Sequence, residues 1–182
     1  SPNQLVQNVL LGPGVDVSNV NFSGDNGALG SFNAVNTTLG IDEGVLITTG
    51  TVANNADGPH GPNDQANAGV DNGVGGYNPL TNLVGTNTFN AAILEFDFVP
   101  FSDTVRFEYV FGSEEYPEFV GTQFNDVFAF FISGPGISGT KNMALIPGTT
   151  QAVAINNVNN GPSNSGPCAN CPYYNNNGNG SN

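Results

Sequence analysis

Two segments in the middle of the chain alternate between apolar and polar residues. The first has apolar side chains at every even position from 92 to 98, and Pro100 ends it. The second has them at every odd position from 105 to 111. A period of two predicts strands with one buried face. The run 127–132 is apolar at every position, which predicts a central strand covered on both faces.

Shorter patterns predict further strands. Apolar residues at 15, 17, 20 and 22 keep the period of two if a bulge lies between 17 and 20. Residues 44–49 form another short apolar strand that Gly50 ends, and weaker strands are predicted at 143–146 and 152–155. Many short strands separated by turn residues favour an all-β fold, a β-sandwich of the jelly-roll or lectin-like type.

Only the N-terminus has a helical pattern. Ser1 is a suitable N-cap, Pro2 fits the first turn, and apolar residues at helical spacing run from Leu5 to Leu10 before Gly12. The predicted sandwich therefore has one short N-terminal helix and long Gly/Asn-rich loops.

Two long segments have no hydrophobic periodicity. Residues 51–90 are rich in Gly, Asn, Asp and Pro, and loops longer than about 12–15 residues are usually functional or disordered. Residues 156–182 form an Asn/Gly-rich tail, a composition that predicts disorder. The length of 182 residues predicts a single domain, 1–182.

The charge balance excludes some partners. Arg106 and Lys141 are the only basic residues against 15 acidic ones, so the formal net charge is −13. Such a chain repels nucleic acid and anionic membrane surfaces. No apolar run approaches about 18 residues, which excludes direct membrane insertion. The acidic excess serves either a solvated surface or the binding of divalent cations.

The two cysteines, Cys168 and Cys171, are spaced as C-x-x-C between prolines, glycine and asparagine. They are too few for a structural zinc site, and the single His60 lies far away in the sequence. A local disulfide is favoured over free thiols, which indicates an oxidising compartment. We expect an extracellular or cell-surface protein whose signal peptide has already been removed before Ser1.

A group of oxygen-bearing side chains lies between the second and third strong strand patterns. Glu114 and Glu115 follow the run 105–111, and Asn125 and Asp126 precede the run 127–132, with Glu118 between them. Antiparallel pairing would bring all five to one rim of the sandwich. Calcium takes six to eight oxygen ligands, so this rim is a candidate calcium site. The alternative is that Glu114 or Asp126 caps the loop by accepting backbone N–H groups.

The long loop 51–90 contains three further aspartates, Asp57, Asp64 and Asp71, which are candidates for a second metal or ligand loop. An acid/base pair of a glycoside hydrolase, formed by Glu114 and Asp126, is a third and more distant possibility. The chain has no tryptophan for stacking on sugar and no nucleophile motif for His60 to serve. We therefore predict that the protein is not an enzyme.

Several segments resemble the choice-of-anchor L domain, a family of bacterial surface domains that carry various C-terminal anchoring signals, many of them in Bacteroidetes. The most specific blocks are Ser113-Glu114-Glu115-Tyr116 and Phe124-Asn125-Asp126-Val127-Phe128-Ala129-Phe130-Phe131. The resemblance also includes residues 5–12, 44–50, 96–100 and 142–149. The resemblance implies a secreted surface module.

The chain departs from the family pattern in two places. Family members often have a cysteine just before the second block, where this chain has Gly121-Thr122-Gln123. They also continue past an Asn-rich region into further strands, so the resemblance implies that the C-terminal part of the domain is missing or that another chain completes it. In the second case a neighbour would supply the strand by strand addition.

Two shorter motifs suggest contact with sugars. Asn125-Asp126 and the apolar residues after it loosely resemble a strand of legume-type lectins, which makes a carbohydrate-binding module that takes a glycan the alternative function. Asp103-Thr104-Val105 resembles an O-glycosylation acceptor, so Thr104 is a candidate modification site. Our first prediction is a calcium-stabilised adhesion or fibre-forming structural module of the bacterial cell surface, whose partners are copies of itself or another surface protein.

Overall fold

The computed structural model describes residues 1–52 and 70–176. Strands account for 26% of the residues and helices for 18%, so the fold is β-rich, as the alternating patterns predicted. The described strands form four two-stranded ladders rather than the two larger sheets of a sandwich. The described residues fall into two compact units, residues 1–52, 70–75 and 89–110 in the first and residues 76–88 and 111–176 in the second.

The first unit begins with the predicted N-terminal helix. Helix α1 (Pro2–Leu5) continues as one π-helical turn (Val6–Leu10). The side chains of Ser1 and Gln4 form a reciprocal capping box, which satisfies backbone N–H groups that have no partner within the helix. Val6 is fully buried and anchors the helix in this unit.

Strand β1 (Val15–Ser23) pairs antiparallel with β4 (Ile93–Pro100). The register shifts between Ser18 and Asn21, so the bulge predicted between 17 and 20 is confirmed. Val17 lies opposite Phe98, and both are half-buried. The residues immediately before and after each of them in the chain are exposed. The period of two therefore predicted both strands and the face that each one buries.

The other ladder of the first unit pairs β2 (Leu29–Asn33) with β3 (Glu43–Ile47). A short 3₁₀ turn (Asn26–Ala28) leads into β2. The pattern at 44–49 predicted β3, but β2 was not predicted. Gly44 lies directly opposite Phe32, and a Cβ there would be 2.8 Å from the phenyl ring, so a glycine lets the two strands approach.

The predicted strand at 105–111 is wrong: in the described structure these residues belong to no ladder. Phe107 and Phe111 are half-buried, while Val105 and Tyr109 are exposed. Alternation determines which side chains share a face, but a strand also needs backbone hydrogen bonds from a neighbour, and the pattern contains no information about that neighbour.

The second unit contains a helix that the sequence pattern did not predict. Helix α2 (Asn78–Val84) has Pro79 in its first turn and ends at Gly85, whose φ of 73° is left-handed. Proline near the start and glycine after the end are the usual helix boundaries. The prediction of a single helix, with 51–90 as a continuous loop, is therefore wrong.

The apolar run 127–132 is two short strands rather than one central strand. β5 (Val127–Phe128) pairs with β8 (Val153–Ala154), and β6 (Phe131–Ile132) pairs with β7 (Lys141–Asn142). The break occurs because the N–H of Phe130 donates to the side chain of Asn142 at 3.0 Å instead of to a strand backbone. The residues of the run are half-buried, so neither face is fully covered.

The hydrophobic core of the second unit lies under the C-terminal part of the chain. Ile146, Val153 and Val158 form a buried cluster, with Phe111 and Tyr174 packed against it. An isolated bridge joins Leu145 to Ala152 beside this cluster, so the weak strands predicted at 143–146 and 152–155 are reduced to the bridge and β8. Ala154 and Ile155 are completely buried.

The tail is folded from 156 to 176, contrary to the disorder that its composition predicted. Asn159 is 3% exposed, and its backbone exchanges two hydrogen bonds with Ala169, at 2.8 and 3.0 Å. Three short 3₁₀ turns shape the segment, at Ile155–Asn157, Pro162–Asn164 and Cys171–Tyr173. The asparagines are ordered because their carboxamides bond to backbone groups within this unit.

Candidate functional site

A hydroxyl group joins the two ends of the predicted acidic rim. The Ser113 side chain donates to Asp126 Oδ2 at 2.7 Å and accepts from the N–H of Glu115 at 3.1 Å. The N–H of Ile155 donates to the Asp126 carbonyl at 3.1 Å, which ties the same residue to the buried core. These bonds hold Glu114, Glu115 and Asp126 in one region of the second unit.

The carboxylates of this region influence one another electrostatically. The pKa of Glu115 is raised to about 7, first by burial and then by the negative charges of Asp126, Glu114 and Glu118, in that order of importance. Burial also raises the pKa of Glu114, to which the charge of Asp126 adds. We call these four residues the acidic cluster.

One oxygen of the acidic cluster lacks a hydrogen bond. Glu115 Oε2 is buried, and no donor in the described part of the chain reaches it. A buried carboxylate oxygen without a donor disfavours the charged form, which agrees with the raised pKa of Glu115. The group is therefore held in an environment that favours either a proton or a cation.

The arrangement is not a formed metal site. Within residues 1–52 and 70–176, no three Asp, Glu, His or Cys side chains are placed to hold a metal ion together. Asn125, the predicted amide ligand, accepts at Oδ1 from the N–H of Asn156 at 2.9 Å. The acidic cluster thus brings charges close enough to repel each other without directing their oxygens at one point.

Tyr116 links the acidic cluster to the folded tail. Its hydroxyl donates to the Val158 carbonyl at 2.5 Å, and its ring centroid lies 5.0 Å from that of Tyr174. Burial raises the pKa of Tyr116, with smaller contributions from Tyr174 and Asp126, so the phenol keeps its proton at neutral pH. Tyr116 therefore connects the acidic cluster to the C-terminal residues.

The predicted second metal loop has one described member. Asp71 Oδ1 accepts from the N–H of Gly73 at 2.9 Å and from the Asn90 side chain at 3.1 Å. The bond from Gly73 and then that from Asn90 lower the pKa of Asp71. This aspartate closes its own turn, while Asp57 and Asp64 lie outside the described residues.

The remaining predicted positions lie in exposed segments. Cys168 and Cys171 form a disulfide, with the N–H of Cys171 directed at the Cys168 sulfur at 3.1 Å. Thr104 is exposed, and its hydroxyl donates to the Asp103 side chain at 3.3 Å. That position is accessible, as a modification site must be.

Sequence reasoning missed the asparagines that fix the site. The Asn156 side chain accepts from the N–H of Gly121 at 2.6 Å and donates to the Thr122 carbonyl at 2.9 Å. These bonds tie the loop at residues 121–122 to the asparagine-rich segment. The composition of this segment predicted only a tail, because the hydrogen-bond partners of Asn156 lie more than thirty residues away in the chain.

The fold and the site define a small, β-rich, strongly acidic module in which a loop of carboxylates is tied to an asparagine-rich segment. The model of the choice-of-anchor L domain family matches residues 1–182, and the chain belongs to this family. No curated protein and no solved structure matches the chain.

Family membership indicates the location and class of the protein. Choice-of-anchor domains are surface structural domains rather than a known family of enzymes, which indicates a secreted or cell-surface module. Each helix in the described part of the chain is too short or too polar to span a bilayer.

Proposed function

We propose that this domain is an adhesion or fibre-forming structural module that binds copies of itself or another surface protein by strand addition. The supporting observation is a run of exposed apolar side chains from the end of β4 onward. Val99 is 65% exposed, Phe101 68% and Val110 53%. Single exposed apolar residues are common, but several within a dozen positions are typical of an interaction surface.

The geometry of β4 suits the addition of a strand. β4 pairs with β1 in a ladder of two strands among the described residues, and Val99 stands on the exposed face of that ladder. An extended segment that docks beside such a ladder gains main-chain hydrogen bonds and covers apolar side chains at the same time. We call residues 99–110 the apolar segment.

The net charge distinguishes the two kinds of partner. Two chains that each carry a formal charge of −13 repel one another, so salt should strengthen self-association by screening. A basic surface protein would be attracted instead, and salt should weaken that complex.

Sedimentation velocity over a range of protein and salt concentrations tests the proposal. We expect concentration-dependent assembly that salt promotes, and we expect Phe101→Glu to shift the midpoint of assembly at least about tenfold, as for the loss of an interface anchor. Val35→Glu, at a position 51% exposed outside the apolar segment, is the matched control. A monomer at every concentration would exclude self-association, and an unchanged Phe101→Glu variant would exclude this surface.

We also propose that calcium stabilises the domain at the acidic cluster. Support comes from the burial of Glu115, which together with the repulsion of the neighbouring carboxylates raises its pKa, and from the buried Oε2 atom without a donor. A cation near this oxygen would remove both costs, and hard cations prefer carboxylate oxygens. Binding would require small movements of these side chains toward one another.

Calcium should therefore raise the melting temperature. A ligand that binds only the folded state adds about 2.7 kcal/mol at a hundredfold excess over its Kd. Glu115→Gln should remove this response, whereas Glu43→Gln, at an exposed position of β3, should retain it. Differential scanning calorimetry with calcium and with a chelator measures the effect. Identical melting curves in the two buffers would contradict the calcium proposal.

In the presence of chelator, the stability of the domain should depend on pH. The folded-state pKa of Glu115 lies above its unfolded value, so the folded protein binds the proton more tightly. Its contribution to stability should be largest below about pH 4.5 and should be lost as the pH rises through about 7. Glu115→Gln should flatten this part of the profile. An equal pH profile in the variant would contradict the burial of Glu115, whatever calcium does.

Carbohydrate binding at Asn125 and Asp126, and glycosylation of Thr104, stay predictions. The bonds from Asn156 to Asn125 and from Ser113 to Asp126 already occupy side-chain oxygens at that rim. A sugar there would have to compete with these internal partners, so the adhesion proposal is the better supported function.

A further inference from the structure

A cavity lies among the C-terminal residues of the second unit. The cavity has a volume of about 330 Å³. It is lined by Asn160, Asn164, Cys171, Tyr174 and Asn176. Small-molecule sites typically measure roughly 300–1,000 Å³, so this cavity is large enough for a ligand of one or two rings.

The lining is neutral and rich in carboxamides. Each carboxamide offers two donors and an acceptor. Asn160 Nδ2 donates to the Asn164 carbonyl at 3.1 Å, which holds these two residues together. Asn164 Oδ1 is buried, and among the described residues no donor reaches it. Buried side-chain oxygens are normally hydrogen-bonded, so this atom is suited to accept from a bound hydroxyl group.

Tyr174 supplies an aromatic wall. Its ring packs against Tyr116 and against the buried cluster of Ile146, Val153 and Val158, which fixes its position. Burial is the main cause that raises the pKa of the Tyr174 phenol, a side-chain hydrogen bond with Asn164 lowers it, and the charge of Glu118 raises it. The phenol therefore remains protonated, and negative charge lies near the cavity.

These features exclude several classes of ligand. Among the described residues, no basic side chain lines the cavity, so a phosphate or nucleotide would find no counter-charge there. No carboxylate from the described part of the chain lines it either, which leaves a divalent cation without its preferred ligands. The charge of Glu118 disfavours acidic sugars. A neutral ligand with several hydroxyl groups and one apolar face matches what remains.

We propose that this cavity binds a neutral saccharide unit, one or two sugar rings in size. The carboxamides of Asn160, Asn164 and Asn176 would exchange hydrogen bonds with the ring hydroxyls, and Tyr174 would contact the apolar face of the ring. The site uses none of the residues of the apolar segment. It would give the module a glycan contact in addition to its protein partner.

The test begins with the full chain on an array of neutral hexose, N-acetylhexosamine and deoxyhexose glycans, printed beside sialylated and uronic-acid counterparts. We expect binding to neutral glycans alone. Isothermal titration calorimetry with the best neutral glycan should then show at least about tenfold weaker binding for Asn164→Ala and for Asn176→Ala. Asn176 is exposed, so its variant tests the cavity even if Asn164→Ala disturbs folding.

Tyr173→Ala is the matched control, because Tyr173 is 56% exposed, adjacent in sequence and not part of the lining. It should bind as the wild type does. The proposal is overturned if no neutral glycan binds, if acidic glycans bind equally well, or if Tyr173→Ala weakens binding as much as Asn176→Ala. Binding that is lost in Asn125→Ala and kept in Asn176→Ala would place the sugar at the acidic rim instead.

Discussion

Ile155→Ala is expected to lower the free energy of unfolding by about 2–5 kcal/mol. The side chain is completely buried, and it directly follows β8 in the best-packed part of the second unit. Truncation removes the transfer free energy of three carbons and leaves a cavity that the neighbours fill only in part. The N–H of Ile155 also holds the Asp126 carbonyl, so loosening this position should disturb the acidic cluster as well.

Urea denaturation followed by circular dichroism measures the loss. Ile155→Val should cost about 0.5–1.5 kcal/mol, and Val35→Ala, at an exposed position of the first unit, should be close to neutral. A graded series of this kind identifies packing as the cause. A loss below about 1 kcal/mol in Ile155→Ala would show that the side chain is not part of a tightly packed core.

Asn159→Ala is expected to cost about 2–4 kcal/mol, an effect as large as that of a core truncation. The Asn159 side chain donates to the Ile155 carbonyl at 2.8 Å and accepts from the N–H of Gly161 at 2.9 Å. Alanine would leave both groups buried without their partner. Each group would then incur the full desolvation penalty, which is larger than the net contribution of a hydrogen bond.

Hydrogen exchange gives a local measurement for this variant. The amide of Gly161 should lose protection in Asn159→Ala, together with the Asn159–Ala169 backbone pair that orders the tail. Asn21→Ala, which loses only an exposed bond to Ser23, should leave stability and exchange unchanged. Normal protection of Gly161 in Asn159→Ala would contradict the role that we assign to the asparagine.

The acidic cluster illustrates how far the sequence predicted the site. The proximity of Glu114, Glu115, Glu118 and Asp126 was predicted, and the charges of the other three add to the effect of burial on the pKa of Glu115. The predicted cause was antiparallel pairing of 105–111 with 127–132, which the described structure does not contain. A hydroxyl group from Ser113 joins the two segments instead.

The C-terminal cavity was beyond sequence reasoning for a related reason. Asn160, Asn164 and Asn176 stand in a segment whose low hydrophobicity normally indicates disorder. Their contribution depends on a framework of asparagine bonds to backbone atoms and on a tyrosine that packs against a distant core. Composition reports how many carboxamides are present, but it does not report which backbone groups lie within reach of them.

The sequence by itself determined the features that depend on near neighbours in the chain. These are the capped N-terminal helix, the bulged β1, the faces of β4 and the strongly acidic character, because spacing along the backbone decides which side chains share a face. Only the tertiary structure decided whether an alternating segment found a strand partner, where the run 127–132 broke, and that the tail folded. Each of these depends on hydrogen bonds between residues far apart in sequence, and local patterns contain no record of such partners.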